Sequence, residues 1–181
     1  MSVDYWSASS LLEFAMLSRR QVVRVLAALP AVLLTPLHAT AARALLHVRG
    51  AIGDAGSEGQ VSYDAAAFDA LPQTRFVTTT PWHDVPVEFS GVAARDLFAA
   101  VGARGENLQL IALNDYVVEA KAGDIVMGDG LFATRQNGVP MPVSDKGPVF
   151  LVFPFDQRPD TQHQVYYSRA VWQLTEIVVA S

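Results

Sequence analysis

The sequence predicts an α+β domain built mainly from β-strands, and two observations carry this prediction. Most of the chain alternates short runs of β-branched and aromatic residues with turn-forming Gly, Pro and Asn, which is typical of strands joined by tight connections. Two short segments instead space their apolar residues at helical intervals. With 181 residues, 51% of them hydrophobic, the chain is long enough for one domain with a substantial core.

Residues 1–41 are predicted to be an export signal that precedes a single domain at 42–181. A basic stretch, an apolar run over 25–37 and the small-residue pattern Ala39-Thr40-Ala41 follow one another, which is the order of a signal peptide. The run is too short to span a bilayer, since spanning takes about 20 apolar residues.

The paired arginines Arg19-Arg20, followed by Gln and two valines, look like a twin-arginine signal. An ordinary secretion signal with two arginines is the alternative. The first 15 residues carry acids and no base, so Met16 is a candidate for the true start. We expect a periplasmic protein with no transmembrane helix in its mature chain.

Composition excludes several classes of function. The formal net charge is −5 and the chain has no cysteine. A mildly acidic domain lacks the basic surface that nucleic acid requires. Without cysteine, disulfides, thiolate zinc sites, iron–sulfur clusters and cysteine nucleophiles are all excluded.

The first half of the domain is predicted to alternate strands with two short helices. Strand 44–52 leads into a loop rich in glycine and acid at 53–59, and Ser62 or Asp64 caps a helix that ends at Pro72. The remaining elements of this half are strands 74–80 and 85–89 and a helix at 92–101, capped by Ser90 and stopped at Gly102.

The second half is predicted to be almost entirely β. Asn114-Asp115 and Asn137-Gly138 each lie between two apolar runs, and Asn-Gly in that setting is a strong hairpin signal. A polar loop is expected at 154–164. The strands predicted here are 108–113, 116–120, 131–135, 139 onward, 149–153 and 170–179.

Short motifs follow one another in a recognisable order across 44–179. They are Leu71-Pro72, Pro81-Trp82, Phe89-Ser90-Gly91-Val92, Asp96-Leu97, Asn114-Asp115-Tyr116, Asn137-Gly138, Pro140-Met141, Lys146-Gly147-Pro148 and Tyr166-Tyr167-Ser168-Arg169 with Val171-Trp172-Gln173-Leu174. In this order the chain resembles the oxidoreductase molybdopterin-binding domain family, the sulfite oxidase fold, in its short bacterial exported form. The resemblance implies a mixed-sheet, barrel-like α+β fold and, in larger relatives, a molybdenum–pterin cofactor.

The cysteine that ligates molybdenum in that family has no counterpart here. Spacing from Trp82 and Gly91 places it at Thr78 or Thr79. A soft thiolate suits such a metal centre, whereas a threonine hydroxyl stays protonated at neutral pH.

Three hypotheses about function remain open. The first is a module that has lost molybdenum redox catalysis and binds a small ligand or a partner, such as a membrane-bound sensor or redox protein. The second is a molybdenum- or pterin-dependent periplasmic oxidoreductase whose metal is held by the pterin dithiolene and an oxygen ligand. The third is a structural accessory subunit.

Candidate residues for binding a molybdopterin or another ligand come from four places. The Thr-rich end of strand 74–80 is the expected mouth of the site, and Asn114 to Tyr116 are expected to form a turn that faces a ligand. Lys146, beside a glycine, and Arg169, with its forked guanidinium, are expected to bind an anion. Strand propensity, turn chemistry and surface ion pairs are the alternative explanations. The candidates are Thr78, Thr79, Trp82, His83, Asn114, Asp115, Tyr116, Lys146 and Arg169, with no metal-ligand set and no catalytic residue assigned. The polar, aromatic stretch 156–169 is a further functional candidate.

Overall fold

Two five-stranded sheets and four short α-helices make up residues 43–53 and 59–181, the part of the chain that a computed structural model describes. The predicted export signal at 1–41 lies outside the described residues, as do residues 54–58 of the predicted loop. The strands are β1 (Leu46–Gly50), β2 (Gln60–Tyr63), β3 (Gln73–Thr80), β4 (His83–Ala93), β5 (Asn107–Ala112), β6 (Val117–Lys121), β7 (Leu131–Gln136), β8 (Val139–Pro140), β9 (Phe150–Val152) and β10 (Leu174–Ala180). The helices are α1 (Ala65–Asp69), α2 (Ala94–Ala100), α3 (Ala122–Met127) and α4 (Gln164–Arg169), with a 3-10 turn at Pro159–Thr161.

The first sheet has the strand order β2-β1-β10-β5-β6. Strand β1 runs parallel to β10, and the other pairs are antiparallel. In the second sheet the order is β3-β4-β7-β8, and β9 also pairs with β7. Within the described residues neither sheet closes into a barrel, so the architecture is α+β with two open sheets.

One hydrophobic core receives side chains from both sheets. The first sheet contributes Leu110 and Ile177, and the second contributes Phe89, Phe132 and Phe150, all of them completely buried. Helix α2 adds its buried face through Leu97 and Phe98. The chain must rely on this apolar burial for stability because it has no cysteine for cross-links.

The segment between α4 and β10 ties the two sheets together. The backbone N–H of Leu151 in β9 donates to the carbonyl of Val171 at 2.9 Å, and the N–H of Leu113 after β5 donates to Gln173 at 2.8 Å. This segment carries Trp172, so the indole is held where the two sheets meet.

Local signals predicted several elements correctly. The Asp64 side chain accepts from the amide of Ala67 and caps α1, as expected. Asn137 and Gly138 both adopt positive φ, at 50° and 77°, which is the geometry of a tight hairpin turn.

Other predicted boundaries were wrong. Ser90 does not cap a helix, because β4 continues through it to Ala93 and pairs on both sides with β3 and β7. Helices α3 and α4 were not predicted, and the final strand begins at Leu174 rather than residue 170. In the described part of the chain, no helix combines the length and apolar character needed to cross a membrane.

Candidate ligand-binding cleft

A cleft of about 310 Å³ opens where the two sheets meet, and four aromatic side chains line it. These come from the β3–β4 turn, the β5–β6 turn, helix α4 and the segment before β10. The lining consists of Trp82, Ala112, Asn114, Tyr116, Tyr167, Ser168, Ala170, Val171 and Trp172. None of these residues carries a formal charge, so the cleft is an uncharged, largely aromatic surface.

Two tryptophans form adjoining walls of the cleft. The rings of Trp82 and Trp172 lie 5.4 Å apart at 84°, an edge-to-face arrangement that aromatic pairs favour. Behind them, the fully buried Phe150 ring is 5.9 Å from Trp82 and 6.5 Å from Trp172. The amide of Trp82 also donates to the Thr80 hydroxyl at 3.2 Å, which fixes the turn that presents this indole.

Tyr116 is presented by a tight hairpin between β5 and β6. Asp115 adopts a positive φ of 61°, and the Asn114 side chain accepts from the amide of Tyr116 at 3.3 Å. The backbone of Tyr116 in turn accepts from Ala112 at 2.9 Å. The Tyr116 side chain remains 56% exposed, so much of its surface is available to a ligand.

Helix α4 supplies the fourth aromatic residue. Tyr167 is half-buried and packs edge-on against Phe155, with ring centroids 5.2 Å apart. The neighbouring Ser168 hydroxyl donates to the carbonyl of Val165 at 2.9 Å. This side of the cleft therefore rests on a helix anchored to the core.

A second depression, of about 240 Å³, shares both tryptophans with the cleft. Its other residues are Ser144, Asp145, Lys146 and Gln173. Lys146 lies 3.3 Å from the carboxylate of Asp145 and only 18% of its side chain is exposed. The cation nearest the tryptophans is thus already paired with an acid.

Thr78 and Thr79 do not line either depression. The Thr78 hydroxyl is fully buried; it donates to the carbonyl of Thr79 and accepts from the amide of Asp156, both at 3.1 Å. The amide and hydroxyl of Thr79 both donate to the Asp156 carboxylate, at 2.7 and 2.5 Å. We call Thr78, Thr79 and Asp156 the threonine clasp, because they join β3 to the segment after β9.

His83 lies beside the cleft without lining it. Its Nδ1 is 2.7 Å from the Thr80 hydroxyl, and its ring packs edge-on against Phe89. The buried Nε2 has no hydrogen-bond partner among the described residues. Burial lowers the pKa of His83 below its usual range, the positive charge of Lys146 lowers it further, and Asp145 and Asp84 oppose the shift. The imidazole is therefore neutral at neutral pH.

Arg169 points away from this region. Its guanidinium pairs with Asp124 at 2.9 Å and lies 5.7 Å over the ring of Tyr166. It borders a different, polar groove that also includes Gln109 and Lys121. The predicted anion-binding arginine is thus paired with an acid of helix α3 and does not line the aromatic cleft.

The structure brings only some of the predicted site residues together. Trp82, Asn114 and Tyr116 line one cleft, with Asp115 in the same hairpin and Lys146 in the adjoining depression. The sequence reasoning missed Trp172 as a site residue. Its position shortly after the Tyr166-Tyr167 pair, at the end of a polar stretch, could have indicated that Trp172 belongs to the site.

The residues of this region do not fit a molybdenum–pterin group of the kind that the family resemblance implies. The chain has no cysteine, and the threonines predicted to stand at the ligand position use their hydroxyls inside the threonine clasp. No basic side chain lines the cleft to pair with a phosphate. Among the described residues, no three or more His, Asp or Glu side chains are placed to hold a metal ion.

Comparisons with known proteins relate the fold, and only the fold, to a known enzyme. No family model matches the chain, and no curated protein matches it. Among solved structures, the chain is similar to the sulfane dehydrogenase SoxCD from Paracoccus pantotrophus, with a TM-score of 0.57 and 15% sequence identity. The match covers 76% of this chain but only 38% of that one. The chain therefore has a fold related to that of part of this sulfane dehydrogenase.

Proposed function

We propose that this chain is an exported small-ligand-binding module that uses the sulfite oxidase scaffold without molybdenum redox catalysis. Its ligand binds in the aromatic cleft formed around Trp82 and Trp172. The observation that carries the proposal is the contrast between an open aromatic cleft and a pair of threonines, predicted to stand at the metal-ligand position, whose hydroxyls already serve the threonine clasp.

The size and chemistry of the cleft support a small ligand. Its volume of about 310 Å³ lies at the low end of the range of roughly 300–1,000 Å³ for ligand pockets. The aromatic side chains supply a large apolar contact area, and Asn114 and Ser168 add a few polar groups. A mostly apolar lining with a few polar groups is typical of small-ligand pockets.

In this proposal the protein acts in the periplasm and a membrane-bound sensor or redox protein reads its state. The hairpin that presents Tyr116 supports such a role, because Leu113 and Val117 on either side of it are 46% and 47% exposed. With the exposed ring of Tyr116 between them in sequence, they offer a local apolar surface, and contiguous apolar surface of this kind marks sites of protein interaction.

A molybdenum- or pterin-dependent oxidoreductase is the second candidate, and the related fold of the sulfane dehydrogenase favours it. It requires a metal held without a protein thiolate. It further predicts that Thr79→Ala lowers the amount of metal retained.

The two candidates are separated by the cofactor content of the purified protein. The full chain is expressed in a host that makes molybdopterin, alongside a known molybdopterin enzyme as the positive control. Molybdenum is then measured by mass spectrometry and pterin by fluorescence after oxidation. We expect neither in this protein. About one molybdenum per chain, lost in Thr79→Ala, would establish the second candidate and overturn the proposal.

Ligand binding is tested by the fluorescence of the two cleft tryptophans. The chain has three tryptophans. Trp6 lies in the predicted export signal, so Trp6→Phe in the full chain leaves Trp82 and Trp172 as the only tryptophans whether or not the signal is removed. A dialysable periplasmic extract should change their emission saturably, and Trp172→Phe should diminish the change. An extract with no saturable effect on either protein counts against a small ligand.

A further inference from the structure

The composition of the cleft also indicates the class of ligand. Building on the proposed function, we infer that the cleft binds a quaternary or fully methylated ammonium head group. Four aromatic side chains line a space that has no basic side chain in its lining, and the faces of such rings attract cations electrostatically.

The geometry suits a compact cation. The planes of Trp82 and Trp172 lie edge to face at 84°, so the two indoles give the cleft two differently oriented aromatic surfaces, and Tyr116 and Tyr167 extend the aromatic lining from other elements. Because the four aromatic residues come from separate segments of the chain, they line one cleft only in the folded protein. Aromatic boxes of this kind are a recurring solution for binding ammonium groups without N–H donors.

The hydrogen-bonding inventory distinguishes the ligand from other charged groups. The lining has no carboxylate, whereas a primary ammonium brings three N–H donors that need acceptors once they leave water. An anion would find no Lys, Arg or His in the lining. A fully methylated ammonium carries its charge with no N–H donor that needs an acceptor. Its desolvation penalty in this cleft is therefore smaller than that of a primary ammonium or of an anion.

The charges outside the lining are compatible with a cation. The whole chain carries a formal net charge of −5, and such a charge raises the local concentration of cations. Lys146, the cation in the adjoining depression, is paired with Asp145 at 3.3 Å. Its field at the cleft is correspondingly reduced.

The test compares a cation with its neutral isostere. The Trp6→Phe protein is titrated with choline and with 3,3-dimethylbutan-1-ol, in which carbon replaces the charged nitrogen, and binding is followed by tryptophan fluorescence and calorimetry. We expect choline to bind roughly tenfold more tightly, since cation–π contacts at partly desolvated sites are of that order.

A matched pair of variants locates the effect in the ring. Tyr116 is 56% exposed, so replacing it should leave the fold intact, and an unchanged Tm checks this. Tyr116→Phe keeps the aromatic face and should bind choline like the parent, whereas Tyr116→Leu keeps apolar volume and should bind it roughly fivefold more weakly.

The outcomes separate this inference from the proposed function. Equal affinity for choline and its isostere would overturn the cation preference while leaving a small-ligand cleft in place. An extract-derived ligand that binds the cleft while choline does not would also overturn the inference alone. Weaker choline binding in Tyr116→Leu but not in Tyr116→Phe supports it.

Discussion

Replacing Thr78 with Val tests whether the threonine that stands at the expected metal-ligand position is structural. Valine has nearly the same shape and an equal preference for strands, so the change removes little except the hydroxyl. That hydroxyl is completely buried and makes two hydrogen bonds, one to the carbonyl of Thr79 and one from the amide of Asp156.

The expected cost follows from the partners that are left behind. Leaving a buried donor or acceptor without its partner costs about 1–3 kcal/mol. The amide of Asp156 belongs to an exposed residue and regains some water, so we expect a loss of about 1–2 kcal/mol in the free energy of unfolding. For a domain of this size, that corresponds to a fall in Tm of roughly 3–7 °C.

The assay is urea unfolding at 25 °C followed by tryptophan emission, with an unchanged m-value as the check that the unfolded state is the same. Thr79→Val is the matched control. Its hydroxyl bond to Asp156 is solvent-exposed, so it should cost at most about 0.5–1 kcal/mol. If Thr78→Val is neutral, or milder than Thr79→Val, the buried hydroxyl does not hold the clasp and our structural explanation fails.

Three further predictions concern stability. Gly91→Ala places a Cβ 2.1 Å from a β7 carbonyl oxygen and should lower the free energy of unfolding by more than about 3 kcal/mol. Gly123→Ala has open space around it in α3 and should raise that free energy by up to about 1 kcal/mol. Comparable urea midpoints for the two variants would contradict this. The ion pair with Arg135 lowers the pKa of Asp69, so the pair stabilises the fold above pH about 4. Asp69→Asn should therefore reduce the free energy of unfolding by up to about 1 kcal/mol at pH 7, and the difference between the two proteins should disappear as the pH falls below about 4. Burial lowers the pKa of His83, so as the pH falls the unfolded chain takes up this proton at a higher pH than the folded chain does. The free energy of unfolding should therefore decrease as the pH drops below about 6.5, and less steeply in His83→Gln. Equal pH dependence of the free energy of unfolding in the two proteins would refute this.

The elements that sequence predicted correctly are those whose causes are local. The Asp64 cap bonds an amide three residues away, and the Asn137-Gly138 turn needs only two positive φ angles. Alternating burial along β5 and β6 follows from the two-residue period of a strand. In each case, the interacting groups lie within a few positions along the chain.

The errors arose where distant strands overrode a local preference. Ser90 has the side chain of a helix cap, yet β4 is paired along both edges there, to β3 and to β7. Gly91 is likewise explained by tertiary structure, since a β7 carbonyl would meet any side chain at that point. Ladder hydrogen bonds and strand packing outweigh the small energy of one cap.

The sequence by itself determined the fold class, the absence of thiol chemistry and the likeness to a known scaffold, because composition, periodicity and motif order express these directly. Only the tertiary structure decided which residues form the site. Trp82 and Trp172 are 5.4 Å apart in space but far apart in sequence, and Arg169 is committed to Asp124 by a contact between separate elements. A binding site depends on such distant contacts, which short-range patterns in a single sequence do not encode.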